Sequence, residues 1–223
     1  MQVVSGIDRP RVHFEAPSRA VLERELAAFV DWFNQSKHDV ALDPLLRAAI
    51  CYLWLITLHP FDDGNGRITR ALTDRALAQA DSQSIRLYSM SAAILDQRTS
   101  YYQVLEQTQR GGMDVTPWVV WFLEILESTL QTALDKIDRT LAKTRFWRQL
   151  HDAGLLAEQV KVINRLLEGG EQNFEHGISA SQYKSVAKVS KATATRHLVD
   201  LLDKGCIEKL PGGGRSTRYR VRL

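Results

Sequence analysis

His59, Pro60, Phe61, Asp62, Asp63, Gly64, Asn65, Gly66, Arg67, Ile68, Thr69 and Arg70 follow one another without interruption. Histidine has an ordinary pKa of about 6.5 and can take a proton near neutral pH. His59 is therefore a candidate general base toward a hydroxyl. The Asp63 carboxylate offers the hard oxygen that Mg²⁺ prefers beside phosphate and water oxygens. Gly64 and Gly66 let a phosphate approach the backbone closely, and Asn65 adds an amide between them. Arg67 and Arg70 are three positions apart and share one face of a helix. Their planar guanidinium forks suit bidentate phosphate binding. The stretch reads as a phosphate-handling loop with a base at its mouth.

Two helices must hold this loop. Asp43 is a good N-cap and Pro44 suits the first helical position. The apolar residues of 44–58 cover most of a helix circumference, which predicts a central, buried helix. His59 stands where that helix runs out, and Pro60 disfavours helical backbone at His59. Residues 61–66 then feed a second helix, expected from Gly66 or Arg67 to about residue 80. Its N-terminus presents unpaired N–H groups and the positive end of the helix dipole, an anion site. Phe61 is expected to anchor the loop in the core.

The stretch 59–70 fits the signature HPFx[DE]GNGRxxR at every fixed position and resembles the Fic family. The resemblance implies a protein adenylyltransferase that moves AMP from ATP onto a protein hydroxyl. It makes His59 the base and Asp63 the holder of Mg²⁺ between the α- and β-phosphates. Asn65 and the Gly64 and Gly66 backbone would hold the α-phosphate, Arg67 the β-phosphate and Arg70 the γ-phosphate. Doc-type toxins, which phosphorylate, replace the second glycine with lysine and lack the last arginine; Gly66 and Arg70 are both present here. In similar proteins a hairpin "flap" lies over the active site and receives the target segment as an added strand. Residues 2–5 and 11–15, flanking a Gly/Asp/Pro cluster, read as such a hairpin. Aromatic residues near Tyr101 and Tyr102 line the adenine pocket in similar proteins. Adjacent helical positions face about 100° apart, so one of the two can do so. Tyr102 is the preferred candidate, with core packing as the alternative.

Fic proteins are commonly held off by a helix bearing [ST]xxxE[GN], whose glutamate pairs with the last motif arginine. No segment matches; the nearest, Asn164 to Gly169, has asparagine where serine or threonine is required. The sequence opens almost directly on the flap. The inhibitory segment is therefore expected in a longer form of the chain or in a separate antitoxin-like partner.

Further along, apolar spacing predicts helices over 18–35 and 91–110 and a long one from Thr116-Pro117, whose Trp118, Trp121 and Phe122 read as core. Residues 81–87 read as a loop. From about Arg148 a second module is expected: helices at 156–167, 179–189 and 191–204, then 206–210, a turn at 211–214 and a strand within 215–223. Three helices and a hairpin resemble a winged-helix domain. Lys191, Thr193, Thr195, Arg196 and His197 have the composition of a recognition helix, and Arg215, Arg218, Arg220 and Arg222 could meet phosphates. Such modules also serve as protein contacts, so DNA and the target protein both remain open as its partner.

The fold class expected is mainly α: a Fic helical domain over 1–145 with a flap over about 2–15, then a winged-helix domain over 148–223. Of the 223 residues 25% are charged, and the net charge is only +3. Residues 146–223 carry 13 basic and 8 acidic groups, and the remainder 16 and 18, so the basic excess belongs to the second module. No apolar run approaches the ~20 residues of a membrane span, and no signal-peptide pattern opens the chain. Two cysteines, Cys51 and Cys206, give no disulfide framework or zinc site. These features point to the cytoplasm. The leading reading is transfer of AMP to a Ser, Thr or Tyr hydroxyl of a target protein docked on the flap, this chain itself included. Rival readings are a DNA-binding transcriptional regulator whose Fic domain senses nucleotide or is inactive, and a Fic enzyme that transfers another group or removes AMP.

Overall fold

The computed structural model describes residues 2–5, 11–81, 88–169, 174, 176–212 and 217–222. They fall into two compact units, Met1–Ala133 and Leu134–Leu223.

In the first unit strand β1 (Gln2–Ser5) pairs antiparallel with β2 (Arg11–Glu15), with an irregularity between Val3 and Val4. The connection expected at residues 6–10 lies outside the described residues. Helix α1 (Arg19–Gln35) buries Phe29 and Phe33 and lays Leu22 and Leu26 against the core. Val30 on the same helix is 46% exposed, so the buried face is narrow. A 3₁₀ turn at Ser36–His38 leads to α2 (Pro44–Leu58). Asp43 caps α2 by accepting the Leu45 and Leu46 N–H groups at 2.8 and 3.2 Å, and Pro44 has no N–H to satisfy.

Ala48, Ala49, Cys51, Tyr52, Leu55 and Leu58 of α2 are all buried. The Leu55 and Leu58 side chains each contribute about 1.5–3 kcal/mol on burial. The buried Arg47 keeps its charge satisfied: Nε donates to Ser36 Oγ at 2.8 Å and Nη2 to the Phe33 carbonyl at 2.7 Å. Helix α3 (Asn65–Asp81) packs along α2. The helix expected over 91–110 is two, α4 (Met90–Asp96) and α5 (Arg98–Arg110), broken at Gln97, whose φ of −107° and ψ of 32° are not helical. Gly111 ends α5. Of the loop expected at 81–87, residues 82–87 lie outside the described residues.

Helix α6 (Thr116–Gln149) continues past the domain boundary expected near Arg148. The two units part within it, at Ala133 and Leu134. No proline or glycine interrupts 118–149, so nothing in the sequence ends the helix at the boundary. Trp118, Trp121 and Phe122 are core residues, and Trp118 Nε1 donates to the Ala49 carbonyl at 2.9 Å.

The second unit holds α7 (Ala157–Glu168), α8 (Ala180–Ala187), α9 (Lys191–Asp203) and an antiparallel pair, β3 (Ile207–Lys209) and β4 (Tyr219–Val221). Phe146, Val162, Ile163, Ile178, Tyr183, Leu198 and Leu201 form its core. Ser179 and Gln182 make a reciprocal capping box at α8, and Ser190 accepts the Thr193 N–H at 3.1 Å at the start of α9. Gly170 and residues 213–216, among them Gly213, Gly214 and Arg215, lie outside the described residues. Cys51 and Cys206 are buried free thiols. Among the described residues no helix is long and apolar enough to cross a membrane.

Candidate active site

Helix α2 ends on His59, whose backbone is left-handed, φ 47° and ψ 54°, while its N–H still donates to the Leu55 carbonyl at 3.2 Å. The sequence accounts for this: Pro60 closes the right-handed option at His59. A left-handed non-glycine residue costs roughly 1–2 kcal/mol, and such strain collects where position matters more than stability. The turn that follows brings the chain back at Gly64, φ +87°, into α3, which begins at Asn65.

His59, Asp62, Asp63, Gly64, Asn65, Gly66, Arg67 and Arg70 line one open cleft of about 300 Å³. That is the lower end of the roughly 300–1,000 Å³ found for ligand sites. The motif residues singled out from sequence are thus brought together. Asp62, in a freely variable motif position, is an additional lining residue that spacing alone did not mark.

Asp63 is tied to its neighbours. Its Oδ1 accepts the Gly64 N–H at 2.6 Å, and its Oδ2 accepts Arg67 Nη2 at 2.8 Å. Both side chains of that pair are largely exposed, 91% and 73%, so it adds under ~1 kcal/mol and yields readily to a competing ligand. The two glycines each lie beneath an arginine. A Cβ on Gly64 would stand 3.5 Å from Arg67 Nη2, and one on Gly66 3.2 Å from Arg70 Nη1. The glycines therefore leave room for the guanidinium groups as well as for a phosphate.

Asn65 also has a structural part in the loop. It is 5% exposed. Its Nδ2 donates to the Phe61 carbonyl at 2.5 Å, and its Oδ1 accepts the Phe61 N–H at 3.0 Å. Oδ1 and one of the two Nδ2 hydrogens thus close the loop, beside the N–H groups of the α3 start. Phe61 itself is 41% exposed rather than sunk in the core; the loop is anchored through its backbone by Asn65.

Tyr102 is not among the residues lining the cleft. It is 50% exposed on α5, edge-on to the Tyr101 ring at 5.0 Å, with the Arg98 guanidinium 5.7 Å from its own ring. Tyr101 is buried and accepts a hydrogen bond from the Tyr52 hydroxyl at 3.3 Å. Burial pushes the Tyr52 phenol above its ordinary pKa, opposed by the hydrogen bond with Tyr101 and by the charge and hydrogen bond of Arg70. Burial likewise raises the Tyr101 phenol. Tyr52 was not singled out from sequence. The available signal was a hydroxyl among the apolar residues of 48–56, seven residues and so two turns before His59.

Among the described residues no cluster of three histidine, cysteine or acidic side chains could hold a metal. The donor set fits a cation that arrives with phosphate and water ligands and takes one carboxylate from the protein, as Mg²⁺ does. It does not fit a cation caged by protein alone.

The residues that form this cleft lie in a recognisable segment: residues 4–77 match the Fic/DOC family. The chain is 31% identical over 136 residues to a protein adenylyltransferase Fic of Nematostella vectensis, covering 61% of this chain and 28% of that protein. It is 34% identical over 111 residues to protein adenylyltransferase fic-1 of Caenorhabditis briggsae, covering 50% and 20%. The chain therefore spans less than a third of the length of these curated relatives. A crystal structure of a Fic family protein from Desulfovibrio desulfuricans G20 aligns with a TM-score of 0.47 and 21% identity, covering 97% of this chain and 59% of that one.

Proposed function

We propose that this chain is a protein adenylyltransferase, joining the α-phosphate of ATP to a hydroxyl of a target protein and releasing pyrophosphate. The observation that carries this reading is the single cleft shared by His59, Asp63, the α3 N-terminus, Arg67 and Arg70. The hydroxyl oxygen attacks the α-phosphorus as His59 accepts its proton, and the bond to the β-phosphate oxygen breaks. The N–H groups at the start of α3 and the backbone of Gly64 and Gly66 receive the α-phosphate oxygens. Arg67 and Arg70 hold the departing pyrophosphate, where charge builds up. Asp63 is the group that would hold Mg²⁺, which would neutralise phosphate charge; this requires Asp63 to exchange its Arg67 partner. The β1–β2 pair is the proposed docking edge for the target segment.

The proposed domains are a Fic domain and a C-terminal winged helix. The succession α7, α8, α9, β3, β4 supports the second. Whether that module meets DNA or protein turns on α9, where Lys191, Thr195 and Arg196 are exposed. The hairpin offers less to phosphates than its composition implies: Arg218 Nη1 donates to the Gly177 carbonyl at 2.9 Å, and Arg220 pairs with Glu208. His197 is half-buried, with Nδ1 3.1 Å from the Tyr183 hydroxyl. An inhibitory segment that pairs with Arg70 would act from outside these residues; Asn164, in the nearest sequence candidate, instead accepts Trp147 Nε1 at 3.0 Å.

The deciding experiment is incubation with Mg²⁺ and ATP labelled in turn at the α- and γ-phosphate, with candidate targets and with the chain alone. Intact mass should rise by one AMP, with the α label retained. Retention of the γ label instead would mean kinase chemistry. Binding to DNA duplexes with no adduct on any protein would favour the regulator reading.

A further inference from the structure

Helix α6 carries an apolar line that packs into neither core. Leu130, Leu134, Ile137 and Leu141 follow one another at intervals of four, three and four residues. At 3.6 residues per turn they share an arc of about 60°. Leu130, Leu134 and Leu141 are 41%, 55% and 45% exposed, and Ile137 is half-buried. None of the four belongs to the buried residues that build the two cores. A single exposed leucine is ordinary on a protein surface. Four on one helical line, at alternating spacings of three and four, make the seam of a coiled coil. The spacing continues outward in polar residues: Glu127 precedes the seam, and Thr144 and Arg148 follow it.

The charges of the helix divide at the middle of this line. Residues 116–133 hold Glu124 and Glu127 and no basic residue; residues 134–149 hold Lys136, Arg139, Lys143, Arg145 and Arg148 against Asp135 and Asp138. Glu127 and Arg145 stand at the two ends of the seam, and both are exposed. Neither has an ion-pair partner among the described residues. We propose that the stripe is an interface with a second copy of this chain, two α6 helices lying antiparallel about a two-fold axis. With Leu130 opposite Leu141 and Leu134 opposite Ile137, the two-fold closes four apolar layers. The same register brings Glu127 of one copy beside Arg145 of the other, twice. Parallel packing would set Glu127 against Glu127 and Arg145 against Arg145, so charge selects the direction. The occupant is a second copy because α6 complements itself in both apolar spacing and charge. Such a contact uses the same patch on both copies and closes on itself, giving a dimer rather than a filament. The proposal stands independently of the adenylyltransferase reading of the cleft.

The test is sedimentation equilibrium of the full chain from about 1 µM to about 1 mM, the range in which small transient interfaces dissociate. The parent should pass from monomer to dimer, and more weakly as salt screens the end pairs. Leu134→Glu enters the symmetric pair twice and should raise the dissociation constant at least about a hundredfold. Its melt should match the parent's, because the side chain is exposed. Glu127→Arg and Arg145→Glu, each alone, set like charges at both ends and should raise the constant about tenfold at low salt. The double exchange should restore the parent value. Leu130→Cys and Leu141→Cys proteins should cross-link when mixed. Leu130→Cys alone should not, because in this register the two copies of residue 130 lie about 16 Å apart along the axis. A parent that stays monomeric throughout, or a Leu134→Glu dimer as tight as the parent, overturns the proposal. So does a double exchange that fails to restore affinity, or a cross-link in Leu130→Cys alone. A monomer that binds some other protein through Leu134 would give the face a different occupant and overturn it as well.

Discussion

Replacing Asn65 with alanine separates two accounts of the motif amide. In one, suggested by the sequence, the side chain holds phosphate. In the other, it closes the loop. The side chain is 5% exposed and makes two hydrogen bonds to the Phe61 backbone. Each is worth about 1 kcal/mol net, and leaving the Phe61 N–H and carbonyl without these partners raises the cost. Asn65→Ala should therefore destabilise by about 2 kcal/mol. Unfolding entropy of about 2.1 cal/mol/K per residue, taken over the unit Met1–Ala133, converts this to a fall of about 7 °C in the melting temperature of that unit. Asn65→Asp keeps an acceptor for the Phe61 N–H but sets a carboxylate against the Phe61 carbonyl, and should lose at least as much. Differential scanning calorimetry reads the melt, and titration with Mg²⁺ and ATP reads the site. An Asn65→Ala protein that melts within a degree of the parent but binds ATP tenfold more weakly would refute the loop-closing account.

His59→Ala should slow transfer by about 10²–10⁴-fold with ATP binding intact, whereas His59→Gly should be as inactive yet about 1 kcal/mol more stable, because glycine relieves the left-handed backbone; activity assays and melts on the pair check both. Arg70→Ala should weaken ATP more than AMP in a binding titration, and equal losses would remove Arg70 from the terminal phosphate. Burial pushes the Cys51 thiol up to about 12 from an ordinary 9, so it should resist alkylation at pH 8 until the chain unfolds. The unfolded thiol ionises first, so this group's contribution to stability is intact below about pH 9 and is lost as pH rises from there toward 12, which chemical denaturation across that range would show. If the second unit binds duplex DNA, affinity should fall steeply with salt and fall again in Arg196→Ala; a flat salt response would leave the protein-contact reading.

The candidate site was legible because its parts are contiguous: one run of residues supplies the histidine, the carboxylate, the glycines and the arginines, and no long-range folding is needed to list them. What contiguity hides is which groups consume one another. Asn65 reads as a free amide until its loop closes on it. Asp63 reads as a free carboxylate until Arg67, one helical turn on, reaches back to it. Tyr52 meets Tyr101, 49 positions further on, a contact no spacing rule reaches. The helices were legible from caps and apolar spacing, as with Asp43-Pro44 before α2. The break at Gln97 was not, because no glycine or proline marks it. The boundary between the two units falls within α6, and a continuous helix carries no signal of changing neighbours.

Gly66 beneath Arg70 ties two positions into a single inherited choice. A Cβ at 66 would crowd Arg70 Nη1 at 3.2 Å, and a longer side chain would claim the space the guanidinium fills. Bulk at 66 and this arginine pose compete for the same space. That matches the Doc-type pattern, in which lysine replaces the second glycine and the last arginine is gone. The pair should therefore change together or not at all. An engineer altering 66 would do best to alter 70 in the same step, because a long side chain at 66 and the arginine compete for one space.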